Sequence, residues 1–384
     1  MNKNAFKEKA LVGRKEKIYA SLILGSYLDT LGFYNGIWEF NYNTVVKTLK
    51  DALLINYEIV HKFFSMGGFS TNISTWNASD DTIMIIATMK ACKKGGKLKD
   101  FIECYVDILP QLEDKKRVSG ITTLNSLRIL AKNPDINKIE YSSTMGGNGA
   151  AMRTHYIGIY FDSIDKIIEM SILTSRLTHN YPMGFLGGMV TALFTHYALQ
   201  DIDPWKWCDM LLKLNENGTI DKIVNKMLIK NFNKYMKDKE EFWNIWYKYK
   251  EFRLNKFELK GHEFSFGSDR FTDLLHICYD TKKLDNISYD RMGGSGATAT
   301  MIAYDSILMS IINNKYGGAQ VDLSDSNSYY YNWESLVFHS TLHFGDNDTI
   351  GTIAGCWYGA LKGFDNFNKA IIDQLEFVDE LKKF

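Results

Sequence analysis

Long stretches of this chain place apolar residues at helical spacing, and few alternate as a half-buried strand would. From Thr82 to Cys92, residues Ile83, Ile86, Ala87 and Lys90 recur at helical intervals, and Gly95-Gly96 closes the pattern. Ile350–Leu361 interleaves apolar residues with Gly351, Ala354, Gly355 and Gly359. Small side chains let two helix axes approach closely, so this segment reads as a central buried helix. Trp205–Phe257, charged and aromatic, reads as two or three amphipathic helices laid over the core. Tyr156–Phe161 alternates weakly and fits either a strand or a helix. Asp322–Asn332, rich in Ser, Asn and Tyr, reads as a surface loop. Prolines stand only at Pro110, Pro134, Pro182 and Pro204. No βα alternation and no interdomain linker interrupt the chain. The pattern predicts one all-α domain over residues 18–384, preceded by a polar, Lys-rich extension over residues 1–17.

Composition narrows the class. Apolar residues make up 45% of the 384 positions and aromatics 14%, enough for a substantial core. Lys+Arg and Asp+Glu are equal at 45 each, so charge offers no case for a nucleic-acid partner. Cys92, Cys104, Cys208, Cys278 and Cys356 are scattered and odd in number. That argues for free thiols in a reducing compartment and against a thiolate zinc site. The apolar run Ile18–Leu24 is too short to span a membrane and lacks a convincing cleavage site. A soluble cytoplasmic monomer is expected, without membrane or nucleic-acid partners.

Two acidic runs carry the candidate chemistry. Ser79-Asp80-Asp81-Thr82 and Asp346-Asn347-Asp348-Thr349 each lead into Asp-Thr-Ile and then an apolar stretch. Asp and Ser cap helix N-termini, so each run alone reads as a cap. Duplicated carboxylates and hydroxyls are also what a hard divalent cation requires. Two carboxylates ~4 Å apart repel by about 4 kcal/mol at an effective dielectric near 20. If the runs meet, four carboxylates would need protons or cations between them. Both readings stand at this level.

Four further stretches carry a resemblance. They are Leu31–Phe40 (containing Tyr34-Asn35-Gly36 and Trp38-Glu39-Phe40), Gly146–Arg153, Ser175–Gly184, and Gly293–Gly296 followed by Met301–Asp305. Together with the acidic runs they follow the order seen in ADP-ribosylglycohydrolases, which the chain resembles from about residue 18 to its end. Tyr34–Phe40 and Ile353–Trp357 look most like the ADP-ribosylarginine hydrolase branch. The resemblance implies an orthogonal helical bundle with a binuclear metal site in a central cleft. It implies two Mg²⁺ ions, or Mn²⁺, held by Ser79, Asp80 and Asp81 from one side and by Asp346, Asp348 and Thr349 from the other. It implies the ADP-ribose moiety of mono-ADP-ribosylated proteins as substrate. One departure is Leu28-Asp29-Thr30-Leu31-Gly32, where the family usually has Gly in place of Leu28. Met183 stands where the arginine branch often has Thr.

Cleaving an N-glycosidic bond needs stabilisation of an oxocarbenium-like centre, a water nucleophile and a proton for the leaving guanidine. Asp80, Asp81, Asp348 and Glu39 are the catalytic candidates, with Asp81 or Asp348 accepting the water's proton. Glu39 is expected near the mouth, contacting the leaving arginine or tuning a metal, or else as a surface glutamate. Gly146, Gly147, Asn148 and Gly149 form a candidate phosphate cradle, with a helix N-terminus supplied from Ala150 onward. Arg153 could pair with phosphate or with a core carboxylate, and its place inside the expected helix favours the structural pairing. His179 is a candidate contact to the phosphates or distal ribose, or a structural histidine. Gly293, Gly294 and Ser295 would form a rim loop, and Tyr289 could stack adenine. Hydrolysis of a serine linkage or of O-acetyl-ADP-ribose, and non-catalytic ADP-ribose binding, are the alternatives.

Overall fold

The computed structural model describes residues 3–41, 48–228, 230–255, 268–279, 292–312 and 331–384. Among these residues no β-strand occurs, and an isolated bridge joins Gly147 and Ser295. The helices that position the site are α1 (Lys3–Phe33), α2 (Leu49–Ser65), α3 (Asp80–Lys94), α4 (Leu98–Asp107), α5 (Leu109–Leu112), α6 (Ile121–Lys132), α7 (His155–Tyr160), α8 (Ile164–Arg176) and α9 (Pro182–Leu199). They continue as α10 (Trp207–Glu216), α11 (Thr219–Met227), α12 (Phe232–Tyr249), α13 (Ser268–Cys278), α14 (Gly296–Ile312), α15 (Trp333–Thr341) and α16 (Asn347–Lys362). None of the described helices is long and apolar enough to cross a membrane.

At the centre, α1 lies against α16. Every residue from Asn347 to Leu361 is buried, as the small-residue spacing predicts. The approach is close because glycines face backbone: a Cβ on Gly351 would meet the Leu28 carbonyl at 3.1 Å, and one on Gly25 would meet the Thr352 carbonyl at 3.2 Å. Leu28, where a glycine was expected, sits inside regular α1 and is fully buried against Gly351. Helix α1 also runs without a break across residue 17.

Other expectations meet mixed outcomes. The Thr82–Cys92 pattern is the body of α3, which ends where Gly95 and Gly96 turn to φ +155° and +65°. Trp205–Phe257 holds three helices, α10, α11 and α12. Of Tyr156–Phe161, all but Phe161, the extended C-cap, lie in helix α7, five of whose six residues are buried. Most of Asp322–Asn332 lies outside the described residues, as does Tyr289.

Away from the site, Asp305 on α14 anchors a buried charge cluster. Its Oδ1 accepts from Arg253 Nε at 3.0 Å and from Tyr249 Oη at 3.0 Å, and its Oδ2 from Arg270 Nε at 2.6 Å. Burial alone would raise this carboxyl, but the two guanidinium groups push it down to about 2.

Candidate functional site

The two acidic runs meet directly through residues 268 positions apart: Thr349 Oγ1 donates to Asp81 Oδ1 at 3.5 Å. Each run opens a helix, and each is also a cap. Ser79 caps α3 by accepting from the Asp81 N–H at 3.1 Å. Asp346 caps α16, its side chain accepting from the Thr349 N–H at 3.4 Å. Cap and cluster are thus the same residues, because N-capping turns the carboxylates of the first turn toward one space.

Asp29 holds the first run from behind. It is fully buried in α1 and accepts from the N–H groups of Ser79 at 3.2 Å and Thr82 at 3.1 Å, and from the Thr82 hydroxyl. The second run is tied to the glycine loops. Asn148 Nδ2 donates to Asp346 Oδ2 at 2.6 Å and to the Gly293 carbonyl at 3.0 Å. The loops join each other through the Gly147–Ser295 bridge and the Gly296 N–H, which donates to the Gly146 carbonyl at 3.2 Å. Gly293 is left-handed at φ +89°, and an added Cβ would press Ile350 Cδ1 at 2.5 Å.

One cavity of about 690 Å³ receives these groups. Glu39, Asp80, Asp81, Asp346, Asp348 and Thr349 line it. Gly147, Asn148, Gly149, Gly294, Ser295 and His179 form a wall. Ser79, Gly146 and Gly293 are outside the lining and act as support. Among the described residues the lining holds no Lys or Arg.

That imbalance governs the electrostatics. Burial first, then the charges of Asp29 and Asp346, push Asp80 up to about 7. Burial and neighbouring carboxylates, Glu39 among them, raise Asp81 and Asp348 well above the usual range. Burial also raises Asp29 and Asp346, although hydrogen bonds oppose it. Asp81 Oδ2 is buried with no hydrogen-bond partner. Such an atom, facing like charges in a cavity with no basic side chain among its described lining residues, suits a cation or a shared proton. Among the described residues, however, no group of three or more Asp, Glu, His or Cys side chains is already arranged to hold a metal ion.

Several expectations need correction. Glu39 is 8% exposed and belongs to the acidic cluster rather than to a surface rim. It is drawn inward because both neighbours bond to the second run: Phe40 N–H donates to the Gly345 carbonyl at 3.2 Å, and Asn347 Nδ2 to the Trp38 carbonyl at 3.2 Å. Among the described residues Arg153 forms no ion pair with a carboxylate. Its guanidinium donates to the carbonyls of Gly149 and Thr174 and to the Thr178 hydroxyl, and lies over the Tyr105 ring at 5.0 Å. The segment from Ala150 forms turns, and α7 begins only at His155. His179 packs under Gly149, where an added Cβ would come within 2.7 Å of Cε1, and bonds to Thr178 Oγ1 at 2.8 Å. Burial and Arg153 push it down to about 3, so it is neutral.

Other lining residues carried no recognisable sequence signal. Val118 is exposed and left-handed at φ +51°; Glu241 and Ile245 come from α12; Cys278 and Tyr279 come from the end of α13. A left-handed β-branched residue is visible only in the backbone.

Comparison with known proteins places this geometry. The ADP-ribosylglycohydrolase family model matches residues 11–384. An ADP-ribosylhydrolase ARH1 of Dictyostelium discoideum is 31% identical, over 94% of this chain and 91% of that protein. A putative ADP-ribosyl glycohydrolase, L444, of Acanthamoeba polyphaga mimivirus is 30% identical over 93% of this chain and 66% of its own length. An ADP-ribosylhydrolase ARH3 of Xenopus tropicalis is 39% identical over 77 residues, 20% of this chain and 22% of its own. A solved ADP-ribosylglycohydrolase-related protein complex has the same fold, with a TM-score of 0.57 at 14% identity over 97% of this chain and 96% of that one.

Proposed function

Because the chain belongs to the ADP-ribosylglycohydrolase family, we propose that it hydrolyses the N-glycosidic bond of ADP-ribosyl-arginine on mono-ADP-ribosylated proteins, with Mg²⁺, or Mn²⁺, as cofactor. Family membership supports hydrolysis at an ADP-ribosyl linkage. The Tyr34–Phe40 stretch supports arginine as the leaving side. The observation that carries the reading is the gathering of Glu39, Asp80, Asp81, Asp346 and Asp348 in the lining of one cavity, with no Lys or Arg among the described lining residues. Asp80, Asp81, Asp346, Asp348 and the hydroxyl of Thr349 are the oxygen donors that would hold two ions, while the Ser79 hydroxyl, taken up as the α3 cap and outside the lining, orients the first run. When bound, such ions supply neutralising charge, orient the ribose hydroxyls and make a water more acidic near neutral pH.

The chain's own groups divide the remaining work. Water oxygen forms the new bond to the anomeric carbon as the bond to the guanidine nitrogen breaks. Asp81 or Asp348 accepts the water's proton. Glu39, whose charge acts on both and which lines the same cavity, can hold the guanidine as that nitrogen takes up a proton. Backbone N–H groups of the Gly147–Gly149 loop, uncrowded by side chains, can approach a pyrophosphate. Asn148 has its side-chain amide engaged by Asp346 and Gly293, so its part in binding is through the backbone. Neutral His179 backs the glycine loop and adds no charge.

The test is release of ADP-ribose from matched arginine- and serine-linked peptides, with Mg²⁺ and with EDTA. Release from the arginine peptide alone, lost in EDTA, supports the reading. Release from serine alone overturns the leaving-group assignment. ADP-ribose binding without release from either peptide overturns the enzyme in favour of a binding module.

A further inference from the structure

The irregular segment 71–79 leads into the first acidic run, and side chains from three distant parts of the chain hold its backbone. Asn35 Oδ1 accepts from the Asn77 N–H at 2.7 Å, and Gln374 Oε1 from the Ile73 N–H at 2.9 Å. The tightest hold is on Ala78, immediately before Ser79. Its N–H donates to Glu376 Oε2 at 3.0 Å, and its carbonyl accepts from Arg117 Nη1 at 2.8 Å. Arg117 and Glu376 meet as a fork, Nη1 to Oε2 and Nη2 to Oε1, both 2.7 Å. Both backbone groups of one residue are therefore locked by one ion pair whose members lie 259 positions apart.

The same arginine governs the facing wall. Val118 follows it directly in the left-handed region, and Val118 and Gly120 line the cavity. The Gly120 backbone acts on Asp80, opposing the rise that burial gives its carboxyl. The Arg117 guanidinium also lies 5.4 Å over the Phe377 ring. The pair is half-sheltered, with side-chain exposures of 11% and 29%. Bidentate charge-assisted bonds fix geometry more strongly than single ones.

We propose that Arg117 and Glu376 are positioning residues that set the first acidic run against the Gly120 wall, so that turnover depends on a clamp supplied by the C-terminal segment. The inference rests on the hydrolase reading for its effect on rate, but not for the clamp itself. Burial would raise the Glu376 carboxyl, yet bonds from Arg117 and Ala78 hold it below its ordinary value, which fits a formed pair.

Three full-length variants test it: Arg117→Lys, Glu376→Gln, and the swap Arg117→Glu with Glu376→Arg. Lys cannot fork. The Glu376→Gln side chain keeps a carbonyl acceptor for the Ala78 N–H. The swap restores attraction between the two side chains but gives the Ala78 N–H no acceptor. Amide hydrogen exchange across residues 73–82 is the readout that needs no activity. Faster exchange in Arg117→Lys and in the swap, with partial protection in Glu376→Gln, is the expected order. For turnover, kcat should fall by on the order of tenfold to a hundredfold in the swap with thermal stability near wild type, since a displacement of about 1 Å can cost about a hundredfold. The rate of Glu376→Gln should lie between wild type and the swap. Exchange unchanged in all three overturns the clamp, whatever the activity. Faster exchange with wild-type kcat overturns the positioning role. A wild-type protein that hydrolyses no ADP-ribosyl peptide overturns the hydrolase reading and with it the dependence of turnover on the clamp, while exchange still decides whether the clamp exists.

Discussion

Adding one methyl group at either of two glycines of α1 should have opposite effects. A Cβ on Gly32 would lie 2.5 Å from the Asn347 carbonyl carbon and 2.7 Å from the Asp348 nitrogen, where ordinary contact begins at 3.4 Å. The obstacle is backbone on both sides, so neither partner can swing away. The start of α16 must retreat by roughly 1 Å, and overpacking of this kind costs about 3 kcal/mol at the upper end of its usual range. With an unfolding entropy of about 2.1 cal/mol/K per residue over 384 residues, that lowers Tm by about 4 °C. The retreat also moves Asp348, so turnover should fall by on the order of a hundredfold. Gly13, in the same helix, has nothing within 4 Å of an added Cβ. There Gly→Ala should stabilise by up to about 1 kcal/mol, through backbone entropy alone. Thermal unfolding of Gly32→Ala and Gly13→Ala beside wild type, with ADP-ribose release from the arginine peptide, checks both signs. If Gly32→Ala melts at or above wild type and keeps its rate, the close approach of α1 to the second acidic run is wrong.

Other consequences are as specific. Asp305→Asn leaves Arg253 and Arg270 without their shared carboxylate and should destabilise by roughly 3–5 kcal/mol, read by chemical denaturation. Since Asp305 is pushed down to about 2, its pairing stabilises the native state at pH above the ordinary carboxylate value and loses roughly 2 kcal/mol as pH falls through about 2. Acid unfolding of wild type against Asp305→Asn should show this loss only in wild type. Gly293→Ala, forced at φ +89° against Ile350, should cost about 1–2 kcal/mol and weaken ADP-ribose binding by calorimetry. Mg²⁺ at a hundredfold excess over its Kd should stabilise wild type by about 2.7 kcal/mol, and Asp348→Asn should lose that gain; equal stabilisation of both would remove Asp348 from the ion site.

What was legible in the sequence was whatever repeats locally. Helix α3 and the small-residue face of α16 follow from spacing within a dozen residues, and the two acidic runs announce themselves because one pattern occurs twice. What was hidden depends on contacts between distant segments. Glu39 could be a surface glutamate until Asn347 and Gly345 are seen holding its neighbours. Arg153 has the charge for a carboxylate partner, yet the fold offers it carbonyls and an aromatic ring. Asp29 looks like one polar residue in an apolar helix, and its role depends on amides some fifty positions away. Part of the cavity lining comes from helices α12 and α13, whose periodicity reports burial but not what they face.

The most direct test of the central claim is the rate of ADP-ribose release from the arginine-linked peptide by Asp81→Asn beside wild type at saturating Mg²⁺. Asp81 touches the second run through Thr349 and carries the unpartnered buried oxygen. Wild type should turn over only with the metal. Asp81→Asn, folded by circular dichroism, should be slower by on the order of a hundredfold or more. An Asp81→Asn protein that releases ADP-ribose at the wild-type rate would contradict the assignment of the joined acidic runs as the reaction centre.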